Sequence, residues 1–339
     1  MKQTTRGLVH RLAYSWTGWP QNDPLPPEPG ADFFAALDEA WARDGLHRIS
    51  HRWQPDIVQF TFEATPDIAP QTITARAKGR LDHALRAHGW RSGLARKVAL
   101  RSLGDNTLET VLAYIATQLD RADLADPRYV QSLADAAWSD GDVDLSEPLA
   151  SNHGRYWSNL HLVAVTDERW PVGREDFLAK IPAAVRAWSA ELGSTDASSV
   201  GRDKPVRAGE LPAPLGRAAD GHVLRNLGAA DGLAPSERNW IRPWSKQSGA
   251  ADGLVPSERN RPRPGVHSLA VMPDHVHVSV RAPAGATPRS VADALRRALN
   301  LAAGCALFSP RMYAGTFSDY TLSLIGQRRN PLPATTSHN

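Results

Sequence analysis

Along this chain, segments whose apolar residues fall at every second position alternate with segments in which they recur every third or fourth, the periods of strand and helix. Near the N-terminus the apolar run over 8–16 predicts a strand. A helix is expected to start near Asp32, with Phe33, Phe34, Leu37, Ala40 and Trp41 on one face. Two strand-like runs follow, one around Ile49 and one over 57–62, and then a basic helix over 71–87. The same order begins again with a strand over 160–166. Its helix is marked by Phe177, Ile181, Val185, Trp188 and Leu192, with Pro182 placed to kink an early turn. An apolar run over 269–272 and the alternating Val276, Val278 and Val280 predict two more strands.

The recurrence extends to individual residues. Displaced by 218 positions, 50–84 falls on 268–302 with eight identical pairs in 35, among them Pro55/Pro273, Asp56/Asp274, Val58/Val276, Pro70/Pro288 and Leu81/Leu299. Ordinary composition gives about 6–7% identity. After a four-residue slip, 101–108 matches 315–322. Order and spacing both persist, which indicates an internal duplication. Strand, helix, two strands and helix in each copy predict an α+β fold of two ferredoxin-like (βαββα-type) halves with antiparallel sheets. The first half is expected over 1–125 and the second over 151–193 plus 266–327, with an acidic linker over 126–150. The stretch 194–265 is rich in Gly, Pro, Ser and Arg, and within it 228–239 nearly repeats as 249–260. Without an apolar period it is expected to be a disordered insertion, and 328–339 a loose tail.

Composition narrows the class. With 339 residues, 42% of them hydrophobic and 22% charged, the chain is expected to be globular and long enough for two cores. The N-terminus leads into no uninterrupted apolar segment, so neither a signal peptide nor a membrane span is expected. Cys305, the single cysteine, excludes an internal disulfide and a thiolate metal cage, and the combination suits the cytoplasm. A net charge of +3 permits a nucleic-acid partner without demonstrating one.

The most specific chemistry lies in Pro273-Asp274-His275-Val276-His277. On a strand, His275 and His277 share one face and the valines the other. Two imidazoles about 7 Å apart on a buried strand can take adjacent positions on a divalent metal. An ordinary histidine pair on a half-exposed strand is the competing reading. Met272 through His277 resembles the metal-binding signature of single-tyrosine HUH transposases, of the insertion-sequence and REP-associated type. The resemblance covers most of both halves but not 194–265. It implies a ferredoxin-like fold and cleavage of single-stranded DNA by a tyrosine with Mg²⁺ or Mn²⁺. It also implies a dimer in which the tyrosine helix of one subunit completes the histidine site of the other. In that family the tyrosine precedes by four residues a glutamine that joins the metal.

Tyr114 and Gln118 have that spacing, yet they lie in the half without the histidines. Their helix is expected to be capped by Asn106 with Glu109 three residues on, and to carry Leu108, Val111, Leu112, Ile115 and Leu119 as an apolar stripe. Tyr114 and Gln118 would stand together on its flank. The second half has no such pair near Arg328, where the alignment would place it, and the first half has Ile57 and Gln59 in place of His275 and His277. Under the resemblance, the chain is a fused pseudo-dimer with one working site: His275, His277 and Gln118 for metal, Tyr114 as nucleophile. Tyr320 ranks second as nucleophile, and Tyr313 is a further competitor.

The implied reaction is attack of Tyr114 on a phosphodiester to give a 5′-phosphotyrosine and a free 3′-hydroxyl, on single-stranded, hairpin-forming DNA. No Walker-type loop is present and no nucleotide cofactor is required. Arg76, Lys78, Arg80 and Arg86 on one basic helix, and Arg289, Arg296 and Arg297 on its counterpart, are candidates to track a DNA backbone. A solvated helix face explains them equally well. Trp53 and Trp90 are candidates for base stacking, against core packing as the alternative. Two other functions remain open from sequence: a nucleic-acid-binding protein of the same fold without catalysis, and a metal hydrolase that needs no tyrosine.

Overall fold

Leu12, fully buried, divides the first apolar run into two strands that enter different sheets, β1 (Val9–Arg11) and β2 (Ala13–Gly18). The structure, a computed structural model, describes residues 7–122, 124, 126–166, 175–195 and 262–323. After β2 come α1 (Ala31–Arg43), β3 (Leu46–Gln54), β4 (Ile57–Ala64), α2 (Pro70–Ala87), β5 (Val98–Leu103) and α3 (Leu108–Ala116). A 3₁₀ turn (Leu119–Arg121), α4 (Pro127–Ala136), β6 (Trp138–Ser139) and β7 (Leu149–Ala150) lead into β8 (Gly154–Trp157). Then follow β9 (Asn159–Thr166), α5 (Glu175–Thr195), β10 (Gly265–Val271), β11 (His275–Arg281), α6 (Pro288–Ala303) and β12 (Phe308–Thr316). The protein is thus α+β. Both expectations for 194–265 and 328–339 fall almost wholly outside the described residues, and the position aligned with Tyr114 near Arg328 does so entirely.

Two six-stranded sheets form, ordered β3-β4-β2-β5-β8-β7 and β1-β12-β9-β11-β10-β6. Each has at its heart four antiparallel strands in the same arrangement, β3-β4-β2-β5 and β10-β11-β9-β12. A fourth strand, β5 or β12, therefore closes each half beyond the five elements expected. Apolar periodicity explains the layers. Phe33, Phe34, Leu37 and Trp41 of α1 are buried, and Trp41 meets Phe60 and Phe62 edge-on at 4.9 Å. Val276, Val278 and Val280 of β11 join the same cluster as Val291, Leu295 and Leu299 of α6 and Ile181 and Val185 of α5. The helix α5 continues past Pro182.

Strands and hydrogen bonds are exchanged between the halves in matched pairs. The strand that precedes the first strand of each half lies in the other half's sheet: β1 runs parallel to β12 (Val9↔Tyr313, Arg11↔Gly315) and β8 parallel to β5 (Arg155↔Ala99, Trp157↔Arg101). The Ser102 hydroxyl accepts from the Asn159 amide (3.2 Å) and donates to the Phe317 carbonyl (2.8 Å). Its aligned counterpart Thr316 accepts from the Ala13 amide (2.8 Å) and donates to the Leu103 carbonyl. Leu108 donates to Ser318 (2.8 Å) and Leu322 to Gly104 (2.9 Å); Gln71 donates to Ala284 and Arg289 to Pro66, both at 2.9 Å. At Gly104 the two backbones come so close that an added Cβ would lie 2.3 Å from the Thr316 carbonyl oxygen.

Two expectations need correction. The segment 126–150 is more than a linker: it contains α4, whose Leu133 is fully buried, and β6, which pairs with β10. Val143 and Leu145 within it are buried as well. The cap of α3 is Thr107, whose hydroxyl accepts from the Thr110 amide at 3.2 Å, not Asn106. Among the described residues no helix is long and apolar enough to cross a membrane.

Candidate active site

Alternation along β11 places His275, His277, Ser279 and Arg281 on the face opposite the valines. Register with β9 sets His161 beside Ser279 and Asn159 beside Arg281; register with β10 sets Ala270 beside His277. The helix α3 of the first half covers this face of the second half's sheet. Its Val111 and Ile115 pack with Ala270, Val143, Leu145 and Phe317, and Tyr114 lies at the edge of the same cluster. Burial of one apolar stripe thereby fixes where the tyrosine points.

The histidines are held by specific partners. The His275 Nδ1 lies 2.6 Å from Asp274 Oδ1. A carboxylate only accepts, so a neutral His275 donates through Nδ1–H and keeps its lone pair on Nε2. Asp274 is itself fixed, because its carbonyl accepts from the amide (2.9 Å) and hydroxyl (3.0 Å) of Thr166. His277 is 3% exposed. Its Nδ1 is 3.0 Å from His161 Nε2, with the two ring planes 18° apart and their centroids 5.2 Å apart, and its Nε2 is buried without a hydrogen-bond partner among the described residues. The His275 and His277 ring centroids are 4.6 Å apart. Burial, aided by His161 and His275, pushes the pKa of His277 down to about 2, and burial pushes that of His161 down to about 4. Both rings are neutral at neutral pH, the state in which imidazole ligates metal.

Tyr114 stands edge-on to both rings, 5.3 Å from His277 and 6.1 Å from His161 between centroids. The Arg121 guanidinium lies 5.6 Å from the centre of the Tyr114 ring. Tyr313, its phenol pKa raised by burial, meets His161 from another side at 6.1 Å. Sequence reasoning missed His161 and Arg121. The signal for His161 was present: in β9 the apolar Leu160, Leu162 and Ala164 alternate with Asn159 and His161, which puts both polar residues on the histidine face once β9 is paired with β11.

Other expected participants are elsewhere. The helix α3 ends at Ala116, where the Thr117 hydroxyl bonds back to the Ala113 carbonyl (2.8 Å), so Gln118 is off the helix. Its Nε2 donates to the Tyr114 carbonyl at 2.8 Å, satisfying a terminal helix acceptor and turning the amide back along its own chain. Tyr320 lies under Arg101, 5.3 Å from guanidinium carbon to ring centre. Arg80 pairs with Asp44 (2.9 Å) and Arg76 donates to the Asp44 carbonyl (2.9 Å), while Arg289 pairs with Asp67 (2.5 Å) and Arg296 lies 3.6 Å from Asp293. Arg296 and Arg297 are on α6, which covers the valine face and not the histidine face. Lys78 is half-buried and Arg86 exposed on α2, in the first half. Trp53 and Trp90 donate their indole N–H to the carbonyls of Pro26 (2.8 Å) and Pro24 (3.1 Å), which pins a loop.

The polar stripe ends at Arg281, which is 0% exposed with all three guanidinium nitrogens unpartnered among the described residues. Burial lowers its pKa to about 10 against the opposing pull of Asp144 and Glu147. Among the described residues no group of three or more His, Cys, Asp or Glu side chains is arranged to hold a metal ion. The atoms that could hold such an ion are the Nε2 atoms of His275 and His277 and the Gln118 amide oxygen, which takes no part in the bond from Gln118 Nε2 to Tyr114. An orphaned buried nitrogen beside one whose tautomer is set by a carboxylate suits a divalent ion that shares its remaining positions with phosphate and water. No protein-family model matches the chain, and no curated protein matches it in sequence.

Proposed function

We propose that this chain is a metal-dependent single-stranded DNA endonuclease and strand-transferase of the transposase type. In this reading two ferredoxin-like halves form a fused pseudo-dimer with one working site. The observation that carries the reading is the approach of Tyr114, from the first half, to 5.3 Å from the His277 ring of the second. The matched exchange of β1 and β8, and of the Ser102 and Thr316 hydrogen bonds, is what a two-fold interface leaves behind when its subunits are joined. The strand order shared by both halves supports a common ferredoxin-like ancestry.

In the proposed reaction the Tyr114 phenol oxygen attacks phosphorus and the bond to the 3′ oxygen breaks. The phenol proton is lost to solvent and the 3′ oxygen leaves as a hydroxyl, with a 5′-phosphotyrosine on the enzyme. Reversal with a different 3′-hydroxyl joins a new end, so no nucleotide cofactor is consumed. A Mg²⁺ or Mn²⁺ ion held by His275 and His277 would supply polarisation of the scissile phosphate. Arg121 puts a positive charge beside the tyrosine, where the phosphate must approach.

One observation favours a second reading, a nucleic-acid-binding protein without catalysis: among the described residues no group of three or more His, Cys, Asp or Glu side chains is arranged to hold a metal ion. Incubation with 5′- and 3′-labelled hairpin-forming single strands and Mn²⁺ separates the two. Cleavage with a protein-linked 5′ end supports the endonuclease. Tight binding of the same strands without cleavage supports the second reading.

A further inference from the structure

His161 is the one residue that hydrogen-bonds the buried His277 side chain among the described residues, and it lies on a different strand, β9. Two arrangements of the shared proton are possible. If His161 Nε2–H donates, His277 must carry its own proton on Nε2, and that N–H is buried with no acceptor. If His277 Nδ1–H donates to His161 Nε2, the atom left without a partner is only a lone pair. A buried orphan N–H is the rarer and costlier defect, so the second arrangement is preferred. Asp274 sets the same state in the neighbouring ring, since His275 Nδ1 can only donate to its carboxylate. Two imidazoles on one strand thus have both Nδ1 atoms committed to acceptors and both Nε2 lone pairs available.

We propose that His161 is a positioning residue: as the acceptor for His277 Nδ1–H, it fixes the tautomer that turns the His277 Nε2 lone pair toward the site. The ring planes lie within 18° of each other with centroids 5.2 Å apart, the nearly coplanar, edge-to-edge orientation that an in-plane bond between ring nitrogens requires. His161 plays for His277 the part that Asp274 plays for His275, but from across the sheet, whereas Asp274 is the adjacent residue. As an outer partner of a metal ligand it rests on the metal-dependent function proposed above; as a tautomer-setting acceptor it does not.

The decisive experiment is a ¹⁵N–¹H correlation of the imidazole nitrogens in the full chain at pH 7.5, free of metal and DNA. The expected spectrum shows His277 protonated at Nδ1 and unprotonated at Nε2. His161→Phe keeps a ring of similar size but removes the acceptor, and is expected to mix or reverse the His277 tautomer and to weaken Mn²⁺ binding by about 10–100-fold. His161→Gln, whose amide oxygen can accept, is expected to restore the tautomer and most of the affinity. A wild-type spectrum with the proton on His277 Nε2 overturns the proposal, whether or not either variant folds. So does a His161→Phe variant that keeps both tautomer and Mn²⁺ affinity. If the wild-type tautomer is as stated but Mn²⁺ does not bind, the metal-dependent function fails while the role of His161 as acceptor stands.

Discussion

The Tyr114 ring stands perpendicular to the His277 imidazole, 5.3 Å away, although one residue lies in α3 of the first half and the other in the third strand of the second. Neither half holds both groups. Their proximity depends on the docking of α3 across the histidine face, through Val111 and Ile115.

Loss of either histidine should remove metal and leave the fold. His275→Ala and His277→Ala are each expected to weaken Mn²⁺ binding by at least about 10-fold, as read by calorimetry or by the electron spin resonance of free Mn²⁺. Gln118→Ala is expected to change affinity by less than that, because the bond from its Nε2 ties the side chain to the Tyr114 carbonyl. A Gln118 effect equal to that of His277 would show that the amide swings over to the metal.

Contacts between the halves should carry folding stability. Gly104→Ala places a Cβ against the Thr316 carbonyl and is expected to cost about 1–3 kcal/mol in urea unfolding. Thr316→Val leaves the Ala13 amide and the Leu103 carbonyl without that hydroxyl, for a similar loss of about 1–3 kcal/mol. Unchanged midpoints in both variants would remove the matched exchange from any account of stability.

The pH dependence of the metal-free protein has a definite sign. His277 and His161 titrate in the folded state near 2 and 4, below the ordinary 6.5. The unfolded chain therefore takes up protons first as pH falls. Stability from these groups is complete above about pH 6.5 and is lost below it, by up to about 1.4 kcal/mol per pH unit for each ring. Half-buried His161 contributes the smaller part. Unfolding free energies measured at pH 5 and pH 7.5 should show the loss, and it should shrink in His277→Ala.

Arg281 sets a different test. Replacing a buried charge that has no direct partner by an apolar side chain of similar length is often neutral or stabilising. Arg281→Met is expected to leave unfolding stability unchanged or raised. A loss of more than about 3 kcal/mol would mean that the guanidinium is held by something beyond Asp144 and Glu147.

Much of this arrangement was legible in the chain because it is written in alternation. His275 and His277 fall on one face by parity alone, and the buried faces of α1 and α5 follow from their apolar spacing. The fourth strand of each half was harder to read. β5 mixes Arg101 and Ser102 into a run of six, and β12 is interrupted by Ser309-Pro310-Arg311, where the register with β9 shifts. The expectation for Gln118 rested on an unbroken helix, and α3 ends at Ala116, two residues before it. His161 was missed because a lone histidine in an apolar strand has no partner until strand order is known. The basic residues of α2 and α6 gave a charge pattern but not a direction, and three of them are paired, Arg76 and Arg80 with Asp44 and Arg289 with Asp67.

The proposed function requires one nucleophile, supplied by the half that lacks the histidines. Its most direct test is to form the covalent product on hairpin single-stranded DNA with Mn²⁺, digest the DNA and the protein, and locate the nucleotide-bearing tyrosine by tandem mass spectrometry. Modification is expected at Tyr114 alone, at most one per chain, and none in Tyr114→Phe. Modification at Tyr320 or Tyr313, or an adduct that persists in Tyr114→Phe, would contradict it.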